Sequence, residues 1–180
     1  MKLFTLRPSQ TEFERQMLPH LDGAYRLALW LVRDPASAQD VVQDSYLRAH
    51  AAWGRYQAGN ARAWLFTIVR RQAYDWLRRE RGREVIDVDD EATWAPEDAV
   101  KLRDETTPEK TLIAAQTAER LRAALLGLPP AFREVIMLKD IEDMPYKTIA
   151  AILDMPIGTV MSRLARGRDM LRARMTEAGT

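Results

Sequence analysis

The chain has 180 residues, 47% hydrophobic and 29% charged, with a formal net charge of +1, enough for one ordinary domain or two small ones. It contains no cysteine, which excludes disulfides, thiolate chemistry and cysteine-based zinc sites. No apolar run approaches the roughly 18 to 20 residues that a membrane span needs, so direct membrane insertion is not expected.

The N-terminal stretch MKLFTLRPSQTEFER lacks the apolar core and small-residue cleavage site of a secretory signal, and a cytoplasmic location is expected. The two histidines, His20 and His50, are far apart in sequence. No phosphate-binding glycine loop and no paired catalytic histidine is present, so neither enzymatic activity nor a metal or cofactor is expected. The small net charge conceals a pattern. Met1 to Arg83 holds 14 basic and 8 acidic residues, net +6; Glu84 to Glu109 holds 2 and 10, net −8; Lys110 to Thr180 holds 11 and 8, net +3. Two basic blocks around an acidic middle suggest a polyanionic partner for the ends.

In chain order, Phe13, Met17, Leu21, Tyr25, Leu27, Ala28 and Leu31 recur at three- and four-residue steps and predict a helix over Glu12 to Val32. Asp34 is a good N-cap, Pro35 suits a first helical turn, and a second helix is predicted to about Trp53. GRYQAGN breaks it. A third helix is predicted from about Ala61 to Arg81. The acidic segment has no sustained helical period and reads as a tether over 84–108, with a short turn near Glu97 to Leu102. Beyond it, Pro108 opens a helix through Leu112, Ala115, Ala118, Leu121 and Leu125, ended by Gly127 and Pro129. PPAFREVIMLKDI and DMPYKTIAAILD predict two more helices, and a last one follows a turn over Asp154 to Gly158, with Thr159 near its start. No segment alternates as a strand would. The fold class is all-α: two small helical domains, 1–83 and 109–180, joined by an acidic linker.

YKTIAAILDMPIGTVMSRLARGRDMLR has helix-turn-helix spacing. Ala150 is small where two helices cross, and Ile149, Leu153 and Val160 supply apolar contacts. At 100° per residue Val160, Leu164 and Leu171 share one face, while Thr159, Ser162, Arg163 and Arg166 fall largely on another. Hydroxyls and guanidinium forks suit phosphates and major-groove base edges. In DVVQDSYLRA, Asp40, Gln43, Asp44 and Arg48 project together and Val41, Val42 and Ser45 lie opposite. In the third helix the wheel places Leu65, Ile68, Val69 and Trp76 inward, and Thr67, Arg70, Arg71, Tyr74, Arg78 and Arg81 on the other face. Basic groups interleaved with an aromatic ring suit a backbone-tracking, base-stacking surface.

These segments resemble the sigma-70 family, specifically its compact extracytoplasmic-function (ECF) group. MPYKTIAAILDMPIGTVMSRLARGR is similar to the region 4 run SYxEIAxILGxxxGTVKSRLxRAR, with Asp154 in place of the turn glycine and Met161 in place of a common lysine. LPPAFREVIML resembles LPxxxREVxxL. DVVQDSYLRA resembles DLVQEVFLRA of region 2.2, and NARAWLFTIVRRQAYDWLRRERGR resembles NxRAWLYRIARNLALDHLRR of regions 2.3 and 2.4, with Arg71 where asparagine is usual. The resemblance implies a protein that directs core RNA polymerase to promoter DNA. Thr159, Ser162, Arg163, Arg166 and Arg168 would meet the −35 element. Arg70, Arg71, Tyr74, Arg78 and Arg81 would meet the −10 element. Asp40, Gln43, Asp44 and Arg48 would dock on the polymerase. The loop Gly54 to Asn60 would lie where the family holds a flipped-out base, and an anti-sigma factor is implied as a further partner. Two alternatives stay open: a sigma-like protein that titrates an anti-sigma factor, and a conventional helix-turn-helix regulator.

Overall fold

The computed structural model describes residues 8–56, 59–80 and 110–177, and every regular element among them is helical. The expected acidic linker, its turn near Glu97 and Arg81 lie outside the described residues. The chain divides into two compact units, one of Met1–Glu84 with Ala151–Asp154 and one of Val85–Ala150 with Met155–Thr180.

The first unit is built on α1 (Pro8–Met17), α2 (Leu21–Val32), α3 (Pro35–Ala52) and α4 (Ala61–Glu80). The single helix expected over Glu12 to Val32 is two helices, separated by a 3₁₀ turn over Leu18–His20. Pro19 is the reason: its ring removes an amide donor and would clash with the carbonyl four residues back, so an α-helix cannot run through it. α2 ends where Arg33 turns left-handed, φ 67°, and returns its N–H to the Leu29 carbonyl at 2.8 Å. Asp34 is the N-cap of α3, as expected. Its carboxylate accepts from the Ser37 N–H and the Ser37 hydroxyl, both at 2.7 Å.

α4 packs on α1, α2 and α3. Met17, Leu27, Leu31, Leu65 and Phe66 are sealed at the centre of this unit's core, and burying a side chain of this size contributes about 1.5–3 kcal/mol. The Tyr46 hydroxyl donates to the Met17 carbonyl at 2.8 Å and ties α3 to the end of α1. Burial, with the Asp22 charge adding to it, pushes the Tyr46 phenol up to about 12, so it stays a donor at all ordinary pH.

The second unit holds α5 (Lys110–Leu126), α6 (Pro130–Ile136) and α8 (Ile157–Glu177), together with α7 (Tyr146–Leu153) as far as Ala150. The end of α5 meets Pro129 and Pro130, which have no N–H to offer its last carbonyls. Arg133, fully buried in the first turn of α6, takes over. Its Nε donates to the Leu125 carbonyl at 3.2 Å, and its Nη2 donates to those of Leu126 at 3.1 Å and Leu128 at 2.6 Å. The helix expected across PPAFREVIMLKDI changes character after Ile136. Met137–Ile141 form a π turn in which the Glu142 N–H reaches the Met137 carbonyl at 2.9 Å. α8 lies on α6 through Gly167, where a Cβ would sit 3.1 Å from Ile136 Cδ1 and 3.4 Å from the Phe132 backbone oxygen. The glycine permits this close approach.

Two outcomes follow. Arg133→Met should lower the unfolding free energy of the chain by about 3 kcal/mol in urea titration, because backbone acceptors in a dry site lose a charged donor; a loss under about 1 kcal/mol would contradict the capping role. Asp34→Ala should cost about 1 kcal/mol at pH 7. The hydrogen bonds to Ser37 hold the Asp34 carboxyl below its ordinary value of 3.8. The cap is therefore present in full above the unfolded-state value and fades as pH falls through the lowered one. Melting curves of wild type and variant should converge in acid and separate above about pH 4.

Candidate nucleic-acid interface

The turn before α8 is short because Asp154 adopts a left-handed backbone, φ 55°. Asp accepts this conformation more readily than most side chains, so it serves where the resemblance would place glycine. α7 and α8 are bent by 97° across the break, within the range of helix-turn-helix pairs. Ile149, Leu153, Val160 and Leu164 are buried as expected. With Val160, Leu164 and Gly167 turned inward, Thr159, Ser162 and Arg166 stand exposed on the other side. Ser162 shares its hydroxyl proton with the Thr159 carbonyl at 3.1 Å and keeps its acceptor lone pairs for a ligand.

Two of the five residues expected to meet the −35 element stand differently. Arg163 is half-buried and its Nη1 is closed to solvent, because its direction on the wheel lies beside the inward Gly167. Arg168 is exposed but engaged: it forms a fork to Asp140, Nε to Oδ2 at 3.1 Å and Nη2 to Oδ1 at 2.5 Å. That hydrogen bond is the main cause holding its guanidinium above the ordinary arginine value.

In the first unit, Asp40, Gln43, Asp44 and Arg48 are all exposed on α3, while Val41, Val42 and Ser45 are buried. The sequence reading missed Leu47, which stands 62% exposed on the same stripe. On α4 the expected outward face needs correction. Tyr74 is buried, 7% exposed, and cannot serve as a stacking platform. A single-stripe wheel suits a helix with one buried side; α4 packs on three helices, so its buried arc widens past Leu77 to Tyr74. Arg70 is drawn over the Tyr74 ring, 4.8 Å from its centroid. Arg78 is exposed and pairs with Asp75. Trp76, expected inside, is half-buried.

Arg71 is exposed, and the fold gives it company that the sequence did not show. An open groove of about 490 Å³ is lined by Arg48, Arg55, Arg71 and Gln72, over a floor of Ala51, Ala52 and Ile68. It gathers three guanidinium groups. Beside the loop that follows α3, Trp53 and Tyr56 are stacked at 4.8 Å and 12°, Tyr56 lies 4.9 Å from Trp64, and the Tyr56 hydroxyl donates to the Gly59 carbonyl at 2.9 Å. Among the described residues, no group of three or more acidic or histidine side chains gathers as a metal site would. Among them also, no single helix is long and apolar enough to cross a membrane.

Residues 17–83 match the family model of sigma-70 region 2, and residues 118–171 that of sigma-70, region 4. The ECF RNA polymerase sigma-E factor of Haemophilus influenzae is 30% identical over 137 residues, 73% of this chain and 71% of that protein. The chain belongs to the ECF group of the sigma-70 family. The ECF RNA polymerase sigma factor SigE of Mycolicibacterium smegmatis is 36% identical over 166 residues, covering 92% of this sigma factor and 61% of that longer protein. Among solved structures, the sigma factor RpoE of Bartonella quintana, crystallised with the anti-sigma factor NepR, matches with a TM-score of 0.73 at 30% identity over 92% of this chain and 98% of that one. Sigma factors are not enzymes; they act in transcription initiation with core RNA polymerase on promoter DNA. The two matched regions hold the two candidate surfaces, the α3–α4 face and groove in one and the outer side of α8 in the other.

Proposed function

We propose that this sigma factor directs core RNA polymerase to a specific set of promoters and assists opening of the −10 element, acting in the cytoplasm under the control of an anti-sigma factor. The region over 109–180 reads the −35 element as duplex, the region over 1–83 engages the polymerase and the −10 element, and 84–108 links them. The observation that carries this reading is the outer side of α8, where Thr159, Ser162 and Arg166 stand exposed past a 97° helix-turn-helix bend. Arg166 can reach guanine O6 and N7 in a bidentate pair, which discriminates by about 1–3 kcal/mol. Arg48, Arg55 and Arg71 supply a cationic track for a strand, which takes Arg48 from the docking set to the nucleic-acid set. Asp40, Gln43 and Asp44, with Leu47 among them, form the polymerase-docking surface, an apolar anchor within a charged rim.

Core polymerase reconstituted with the chain should make transcripts from defined starts on genomic DNA, and sequencing them supplies both promoter elements. Asp44→Arg should abolish capture of core polymerase without changing the circular-dichroism melt, and Arg166→Ala should relax base preference in the −35 element only. A holoenzyme that starts nowhere would favour a sigma-like titrating protein. Nanomolar sequence-specific binding by the chain alone would favour a conventional regulator.

A further inference from the structure

Gly158 is the second residue of α8, exposed, and a Cβ built on it meets nothing within 4 Å. Its backbone lies outside the left-handed region, so any L residue fits there. Glycine is unfavourable relative to alanine in a helix interior, and in a first turn it still brings no gain over alanine. Nothing in the fold requires it. Gly167 on the same helix makes the contrast: there a Cβ would press on Ile136 and Phe132, and the glycine serves internal packing. The surroundings of Gly158 are unusual for a second, independent reason. Ile157 and Met161 flank it in the same turn with 44% and 53% of their surface in water. Two large apolar side chains beside a bare backbone leave an apolar surface of low relief at the start of α8.

Gly158 lies on the outward side of α8 with Ser162 and Ala165, between Thr159 and Arg166 on one flank and Met161 on the other. We infer that Gly158 is a clearance residue for duplex DNA: the first turn of α8 approaches the −35 duplex so closely that a Cβ at this position would hold the helix away from the groove. The inference rests on the reading of α8 as the duplex-contacting helix and goes beyond it, since it assigns a positional role to a residue with no side chain to read a base. Met161 and Ile157 then meet the groove wall, where thymine methyls are the matching apolar groups, while Ser162 and Arg166 reach the base edges. A methyl at Gly158 stabilises the free protein and obstructs the bound one, so the two effects have opposite signs.

The test is Gly158→Ala, with Gly158→Leu as a larger step, in the full chain. Three quantities are measured: the melting temperature, the capture of core polymerase, and transcription by the reconstituted holoenzyme from a promoter and from the same promoter with its −35 element scrambled. The expected result is a melting temperature unchanged or raised by a few degrees, unchanged polymerase capture, and transcription from the intact promoter reduced roughly tenfold for Ala, the equivalent of about 1.4 kcal/mol, and further for Leu. The scrambled promoter should show no such difference between variants. Full transcription by Gly158→Ala would overturn the inference, as would a loss of activity that merely follows a lowered melting temperature. If the wild-type holoenzyme transcribes the intact and scrambled promoters equally, the reading of α8 itself fails and takes the clearance role with it, an outcome distinct from a variant that behaves as wild type.

Discussion

A buried cation holds the second half of this molecule in order. α5 runs out at Leu-Gly-Leu-Pro-Pro, where the Gly127 and Leu128 N–H groups reach the Ala123 and Leu125 carbonyls at 2.9 and 3.1 Å and the two prolines after them offer no further amide. Arg133, three residues past Pro130, turns back and supplies three charge-assisted hydrogen bonds to Leu125, Leu126 and Leu128. The guanidinium cannot neutralise itself by losing a proton, so burying it in this site requires acceptors such as these to stay in place. The same turn that carries Arg133 carries Phe132, and one turn later Ile136 receives Gly167 of α8. The direction in which α8 presents its outer side therefore depends on an arginine that never reaches the surface.

The arginines of the chain divide by what the fold has already done with them. Arg133 is structural. Arg168 is held by Asp140 across 28 positions of sequence, and Arg70 lies over the Tyr74 ring. Arg48, Arg55 and Arg71 line an open groove, and Arg166 stands out from α8. The count of basic residues in each block overstates the charge available to a polyanion, because several of these side chains are already engaged within the fold. In α3 the opposite choice is made: Asp40 and Asp44 are exposed around Leu47, a surface that repels DNA and suits a protein partner.

Much of this was legible in the sequence wherever the cause is local. Asp34 announced its own cap, and Val160 and Leu164 the inward side of the last helix, because each depends on neighbours within a few residues. The break at Pro19 was legible too, but the regular spacing of apolar residues across it spoke more loudly than the missing amide. What could not be read were the consequences of packing between distant elements. Tyr74 went inside because α4 is covered by three helices rather than one. Arg168 found Asp140, Arg133 found the end of α5, and Arg48 came beside Arg71 only when α3 and α4 packed together. Gly158 and Gly167 look alike as letters; only the space around a Cβ separates the one that packs inward from the one that faces out.

The central claim is that one chain meets promoter DNA at two separate places, through the outer side of α8 and through the groove between α3 and α4. The most direct measurement is site-specific photocrosslinking in the reconstituted promoter complex, with a photoreactive residue placed at Ser162 in one protein and at Arg55 in another. Adducts are expected from position 162 within the −35 element and from position 55 within the −10 element. Adducts from both positions within a single element, or none to DNA from position 162, would contradict it.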